Sequence, residues 1–109
     1  MTTLSVQAVA IAGLNPSYGS ASGGGDKVAC GERTFLHVKN GGGSPITVTL
    51  AATGSVRGQT VTSPTVSVPA TGERLIGPIT SDLFAGATDG LAAISYSGVT
   101  TVTVAAFRI

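Results

Sequence analysis

The chain has 109 residues with six basic and five acidic side chains, a formal net charge of +1, and it contains one histidine and one cysteine. That balance leaves no cationic footprint for a phosphate backbone or an anionic bilayer, so neither nucleic acid nor membrane is an expected partner. Charged residues make up 10 % of the chain and hydrophobic residues 42 %, against about 25 % charged in ordinary soluble domains, a shortage that suits a Gly/Ser/Thr-rich exterior or faces covered by other protein.

The length fits one domain, residues 1–109, with enough surface to bury a core unaided by metal or disulfide. Cys30 has no second cysteine to pair with inside the chain, and no histidine or lysine pair beside it to activate its thiol. The opening residues carry no basic run ahead of a short apolar stretch, which predicts a cytoplasmic origin without an export signal.

In chain order, alternating apolar and small polar residues predict strands, beginning with Ser5 to Ala12. Residues Gly13 to Thr34 contain Gly23, Gly24 and Gly25 and read as a long loop. Leu36 and Val38 then alternate with Phe35, His37 and Lys39, and Ile46, Val48 and Leu50 alternate with Thr47 and Thr49. The turn-forming run from Asn40 to Pro45 predicts a hairpin between these two strands. A second long loop covers Thr53 to Pro64. Strands from Thr65 to Val68 and Arg74 to Ile79 are predicted to join through Ala70 to Glu73, and those from Leu91 to Tyr96 and Thr101 to Ile109 through Ser97-Gly98, as further tight antiparallel links.

The apolar phase slips along the last strand, since Val102 and Val104 share one face while Phe107 and Ile109 share the other. That predicts either a bulge at Ala105-Ala106 or burial on both faces. Thr80 or Ser81 as N-cap and Gly86 as a stop predict one helical turn, with Leu83 and Phe84 plugging one end of the core. The fold expected is a single antiparallel β-sandwich, or a small jelly-roll-like barrel, of about seven strands with two long loops and one short helical turn.

Loops of this length exceed the usual span of about 4–6 residues. They read as elements ordered by a neighbouring molecule, with Tyr18, Val28 and Val61 apolar enough to dock. Catalytic, cofactor-binding and metal-binding residues are not expected. His37 lies between Leu36 and Val38 on a strand, and of the acids Asp26, Glu32, Glu73, Asp82 and Asp89, three stand beside a base, as solvated turn charges do. The segment Gly19 to Lys27 lacks the spacing of a phosphate-binding loop, and no serine lies in a nucleophile elbow.

One ordered set of residues resembles a known family. Val38, Asn40 and Gly41 end one strand. Val66, Val68, Pro69 and Ala70 lead into Gly72, Arg74, Ile76, Gly77 and Pro78. Phe84 follows in a short aromatic turn, and Tyr96, Ser97, Val99, Val102, Ala105, Ala106 and Arg108 close the chain, with Gly23 to Lys27 standing ahead of them all. In this order the chain is similar to small tailed-bacteriophage virion proteins of the capsid decoration, or cement, type. The resemblance spans nearly the whole chain except Thr53 to Pro64, and rests on strand and turn residues.

It implies a structural protein, not an enzyme, that binds the exterior of the expanded capsid in the virion after assembly in the host cytoplasm. The implied partners are the major capsid protein and further copies of the chain, as a homotrimer. Residues placed in the loops and so expected to make the contacts are Tyr18, Asp26, Lys27, Val28, Glu32, Arg33 and Arg57. Two other readings are a tail or head–tail connector subunit and a carbohydrate- or receptor-binding β module. Two tyrosines, three phenylalanines and no tryptophan argue against the latter.

Overall fold

The computed structural model describes residues 2–60, 62–86 and 89–109. Its strands are β1 (Thr2–Leu4), β2 (Val6–Ala8), β3 (Gly19–Ser20), β4 (Asp26–Ala29), β5 (Thr34–Asn40), β6 (Ile46–Leu50), β7 (Ser55–Val56), β8 (Gln59–Thr60), β9 (Thr65–Val68), β10 (Glu73–Ile76), β11 (Leu91–Tyr96) and β12 (Val102–Arg108). One helical turn, α1 (Ser81–Phe84), follows β10, with Thr80 as its N-cap residue.

Two sheets share one core. The first runs β1-β4-β11-β6-β9 and the second β10-β5-β12-β2, with β3 also on β12. The inward positions of β5 and β6 are buried in strict alternation, as the sequence pattern requires. Leu36, Val38, Val102 and Val104 from the second sheet meet Val28, Val48, Ile94 and Val68 from the first, all at most 2 % exposed. Ile79 and Phe84 close one end, and Leu83 packs against them at the margin, as expected of the helical turn.

The sheets remain open instead of closing into a barrel, and among the described residues they hold ten strands, not about seven. They are also mixed: β1 runs parallel to β4, and β2 parallel to β12. The extra strands are two to four residues long and pair over long sequence distances, so local alternation does not announce them. The expected strand from Ser5 to Ala12 is replaced by two shorter ones divided at Ser5, one in each sheet.

All three predicted hairpins are crossovers. β5 pairs with β10 and β12, whereas β6 lies in the opposite sheet between β11 and β9. β9 and β10 likewise belong to different sheets, as do β11 and β12. Asn/Gly and Ser/Gly turns reverse the chain in either case. Whether the returning strand bonds sideways or stacks across the core depends on partners far along the sequence.

The consecutive strands that do pair are β7 and β8, joined through Arg57 (φ 52°) and Gly58 (φ 79°). Positive φ at both central residues is the geometry that matches strand twist in a two-residue hairpin. Along β12 the register against β5 is unbroken from Val102 opposite Asn40 to Arg108 opposite Thr34. There is therefore no bulge, and the phase slip reflects burial on both faces, with Ala105 and Phe107 covered on the outside.

A candidate docking surface on the second sheet

The outer face of the second sheet is built from the residues that alternate away from the core: Phe35, His37 and Lys39 on β5, Ala105 and Phe107 on β12, and Glu73 and Leu75 on β10. The Phe35 and Phe107 rings lie 5.8 Å apart. Tyr18 folds over them from the segment before β3, its ring edge-on to Phe107 at 5.9 Å and to His37 at 5.5 Å.

Two polar devices hold that segment down. The Gln7 amide donates to the Ser17 carbonyl (2.8 Å) and accepts from the Ser17 N–H (3.0 Å), as a neighbouring strand would. The Tyr18 hydroxyl shares a hydrogen bond with His37 Nδ1 (2.7 Å), whose other ring nitrogen lies 3.3 Å from Glu73, and Lys39 Nζ sits 4.1 Å above the Tyr18 ring. Within the long segment from Gly13 to Thr34, Ser17 and Tyr18 are thus held by their own chain. Tyr18 docks within the monomer, Val28 is buried in β4, and Val61, the third residue expected to dock, lies outside the described residues.

Beside this aromatic cluster an open apolar groove of about 610 Å³ runs between the start of β5, the residues after β10 and the C-terminus. Phe35, Leu75, Pro78 and Ile109 wall it, with Glu32 and Arg33 at the rim. Leu75 is 66 % and Ile109 73 % exposed, although both are large aliphatic side chains whose burial is worth about 1.5–3 kcal/mol each. Across the same sheet, beyond β2, Val9 is 50 % exposed and Ile11 is fully exposed in the turn that Gly13 closes back onto Ala10. The Val9 N–H donates to the Arg108 carbonyl, which places that turn at the end of the sheet where the groove opens.

The seven loop residues expected to make contacts separate into three groups. Asp26 and Val28 are fully buried in β4 and offer no surface to a partner. Tyr18 is half-buried on Phe107 and His37, and Lys27 is half-exposed in an ion pair with Asp89 (2.5 Å). Glu32 and Arg33 reach the groove, and Arg57 stands exposed at the tip of the β7–β8 ribbon. Sequence reasoning missed Leu75, Pro78 and Ile109. Leu75 reads as an ordinary strand residue, and nothing local shows that residues 33–35, 75–78 and 109 converge.

Several ionisable groups away from this surface are held by burial or by hydrogen bonds within the fold. Asp26 caps the turn before β4 by accepting from the Ser22 N–H (3.3 Å) and receives the Tyr96 hydroxyl (2.8 Å). Burial, reinforced by that carboxylate, pushes the Tyr96 phenol well above its ordinary value. The Lys27 hydrogen bond and then the Leu91 N–H hold the Asp89 carboxyl low. Burial raises the Cys30 thiol, which disfavours its nucleophilic form. Among the described residues, no group of three or more His, Cys, Asp or Glu side chains gathers as a metal site, and no helix is long and apolar enough to cross a membrane.

Comparison with protein-family models, curated proteins and solved structures finds no match to this chain.

Proposed function

We propose that this chain is a structural virion protein that decorates the exterior of a bacteriophage capsid, bridging neighbouring major capsid protein subunits and associating with copies of itself, three around each local threefold position. The observation that carries this reading is the placement of exposed large hydrophobics. Val9, Ile11, Leu75 and Ile109 all lie toward one end of the second sheet, away from the crossover turns around Asn40. A patch of this kind on a chain with 10 % charged residues suits protein–protein contact better than a free surface. The resemblance of the Asn40, Pro69–Pro78 and Tyr96–Arg108 segments to capsid decoration proteins supplies the partner.

On this reading the work is mechanical. Each bridge adds interface area across a subunit boundary and raises the cost of separating the shell against internal pressure, with no bond made or broken. The test is to add purified protein to expanded capsids that lack it and to count copies after sedimentation. Saturable binding at copies on the order of hundreds per particle is the expected result. A small ring-like number would move the chain to the tail or connector, and no binding would remove the virion reading altogether.

A further inference from the structure

Tyr18, His37 and Glu73 bring a hydroxyl, an imidazole and a carboxylate together on the outer face of the second sheet. The Tyr18 hydroxyl lies 2.7 Å from His37 Nδ1, and the Glu73 carboxylate lies 3.3 Å from Nε2 of the same ring. A carboxylate on that side favours the tautomer with its hydrogen on Nε2, which leaves the Nδ1 lone pair to accept from the phenol. A hydroxyl against a histidine base, itself backed by an acid, is the arrangement that activates an oxygen nucleophile. We infer that Tyr18 is an activated nucleophile, whose proton His37 takes as the phenol oxygen attacks an acyl or sulfonyl centre bearing a good leaving group.

The surroundings support the transfer. Lys39 Nζ stands 4.1 Å above the Tyr18 ring and favours the negative charge that the oxygen gains as its proton leaves. The ring is fixed edge-on to Phe107 and His37, and Gln7 holds both backbone groups of Ser17, so the oxygen is kept against its base. Beside His37 lies a hollow of about 280 Å³, lined by Glu73, Arg74 and Leu75 as well, and Glu73 is 60 % exposed where it meets solvent. A cavity of about 150 Å³ holds one benzene-sized group, so the hollow has room for an aromatic reagent, with Arg74 as the cation on its wall.

Tyr96 is the contrast within the same chain. Its hydroxyl donates to the Asp26 carboxylate (2.8 Å), and burial together with that carboxylate keeps the phenol protonated far above neutral pH. One tyrosine thus faces a neutral base with a cation over its ring, and the other faces an anion that opposes loss of its proton.

Benzenesulfonyl fluoride tests the inference on the intact chain. An oxygen–sulfur bond forms at Tyr18, the sulfur–fluorine bond breaks, fluoride leaves, and the phenol proton passes to His37 and then to water. Peptide mapping by mass spectrometry reads the rate at each tyrosine. A positioned general base contributes about 10²–10⁴-fold, so Tyr18, although half-buried, is expected to react about a hundredfold faster than both Tyr96 and the free phenol of N-acetyltyrosine amide. H37A should bring Tyr18 down to the rate of the free phenol, and imidazole added to the solution should restore much of the loss. E73Q, which keeps the size of the side chain and removes its charge, should slow the labelling with an unchanged far-UV circular dichroism spectrum.

Labelling of Tyr18 no faster than the free phenol overturns the inference, as does an unchanged rate in H37A. A loss in H37A that imidazole does not restore would reduce His37 to a packing partner of the ring and would overturn it too. Should H37A fail to fold, E73Q decides, and an unchanged rate there counts against the inference. The decoration reading plays no part in this chemistry, and the capsid-binding assay tests that reading separately.

Discussion

The side-chain amide of Asn40, at the end of β5, donates to the carbonyl of Val68, at the end of β9 in the opposite sheet (3.4 Å). The same nitrogen lies within bonding distance of the Ser44 (2.8 Å) and Pro69 (3.3 Å) carbonyls, and Asn40 Oδ1 accepts from the Gly42 N–H. Around it the Asn40 N–H bonds Gly72, the Thr71 N–H bonds Gly42, and the Gly41 N–H bonds Thr101. This side chain, 2 % exposed, thus fastens the β5–β6 and β9–β10 crossovers at one end of the molecule, and the Gly41 backbone beside it ties in the third. Replacing Asn40 with Ala strands buried carbonyls and is expected to cost about 2–3 kcal/mol in urea unfolding. Asn40→Asp should cost more at neutral pH, because a carboxylate cannot donate to three carbonyls and carries an unpaired charge inward. Lowering the pH until it protonates should recover part of that loss.

Leu50 and Val48 lie on the core face of β6, at 4 % and 1 % exposure. Leu50→Ala is expected to destabilise by about 2–5 kcal/mol and Val48→Ala by somewhat less, whereas Thr47→Ala on the exposed face should fall within about 0.5 kcal/mol. Equal effects at all three positions would contradict the assigned facing of β6.

Those facings were legible in the sequence because period-two alternation is a local signal. β9 and β11 occupy the residues expected, and His37 lies on the outward face of β5 as its apolar neighbours require. The β5–β6 turn departs from the expected hairpin for a physical reason. Asn40, the three glycines and Pro45 encode a reversal, but the bonds that decide between a hairpin and a crossover run from Asn40 to residues 28 and 29 positions away. β4 reads as loop in the sequence because Val28 is the one large apolar residue of Asp26–Ala29 and no alternation marks it. Its place in the core comes from pairing with β1 and β11. The groove was illegible for the same reason, since it joins three segments that only the finished sheet brings together.

Tyr96 and Asp26, 70 residues apart, tie β11 to the start of β4 through a part-buried hydrogen bond to a carboxyl group. Tyr96→Phe keeps the ring and removes the donor, and a bond to a charged partner is worth about 1.5–3 kcal/mol. The pH dependence has a definite sign. The folded-state phenol titrates above its ordinary value of 10.0, so its contribution is fully present below pH 10 and falls as the unfolded chain begins to lose that proton. Unfolding midpoints in urea should therefore decline above about pH 10, and more steeply for the unaltered chain than for Tyr96→Phe. Parallel declines would mean that Tyr96 plays no part in alkaline sensitivity.

The three consecutive glycines before Asp26 look equivalent in the sequence and are not equivalent in the fold. Gly25 has φ +93°, and a Cβ there would stand 2.5 Å from the Ile94 carbonyl oxygen on the adjacent strand, whereas one at Gly23 or Gly24 would meet nothing within 4 Å. The Gly25 N–H also closes the turn onto Ser22, which delivers Asp26 to its buried position (2.9 Å). Gly25→Ala therefore combines left-handed backbone strain with a backbone collision on a paired strand, and is expected to cost more than about 2 kcal/mol. Gly23→Ala and Gly24→Ala restrict the unfolded chain without strain, and should be neutral or raise stability by up to about 1 kcal/mol. Thermal melts of the three single variants give the comparison directly. If Gly23→Ala or Gly24→Ala melted as low as Gly25→Ala, the whole run would be under conformational constraint, and the close approach of Gly25 to β11 would not be what requires glycine there.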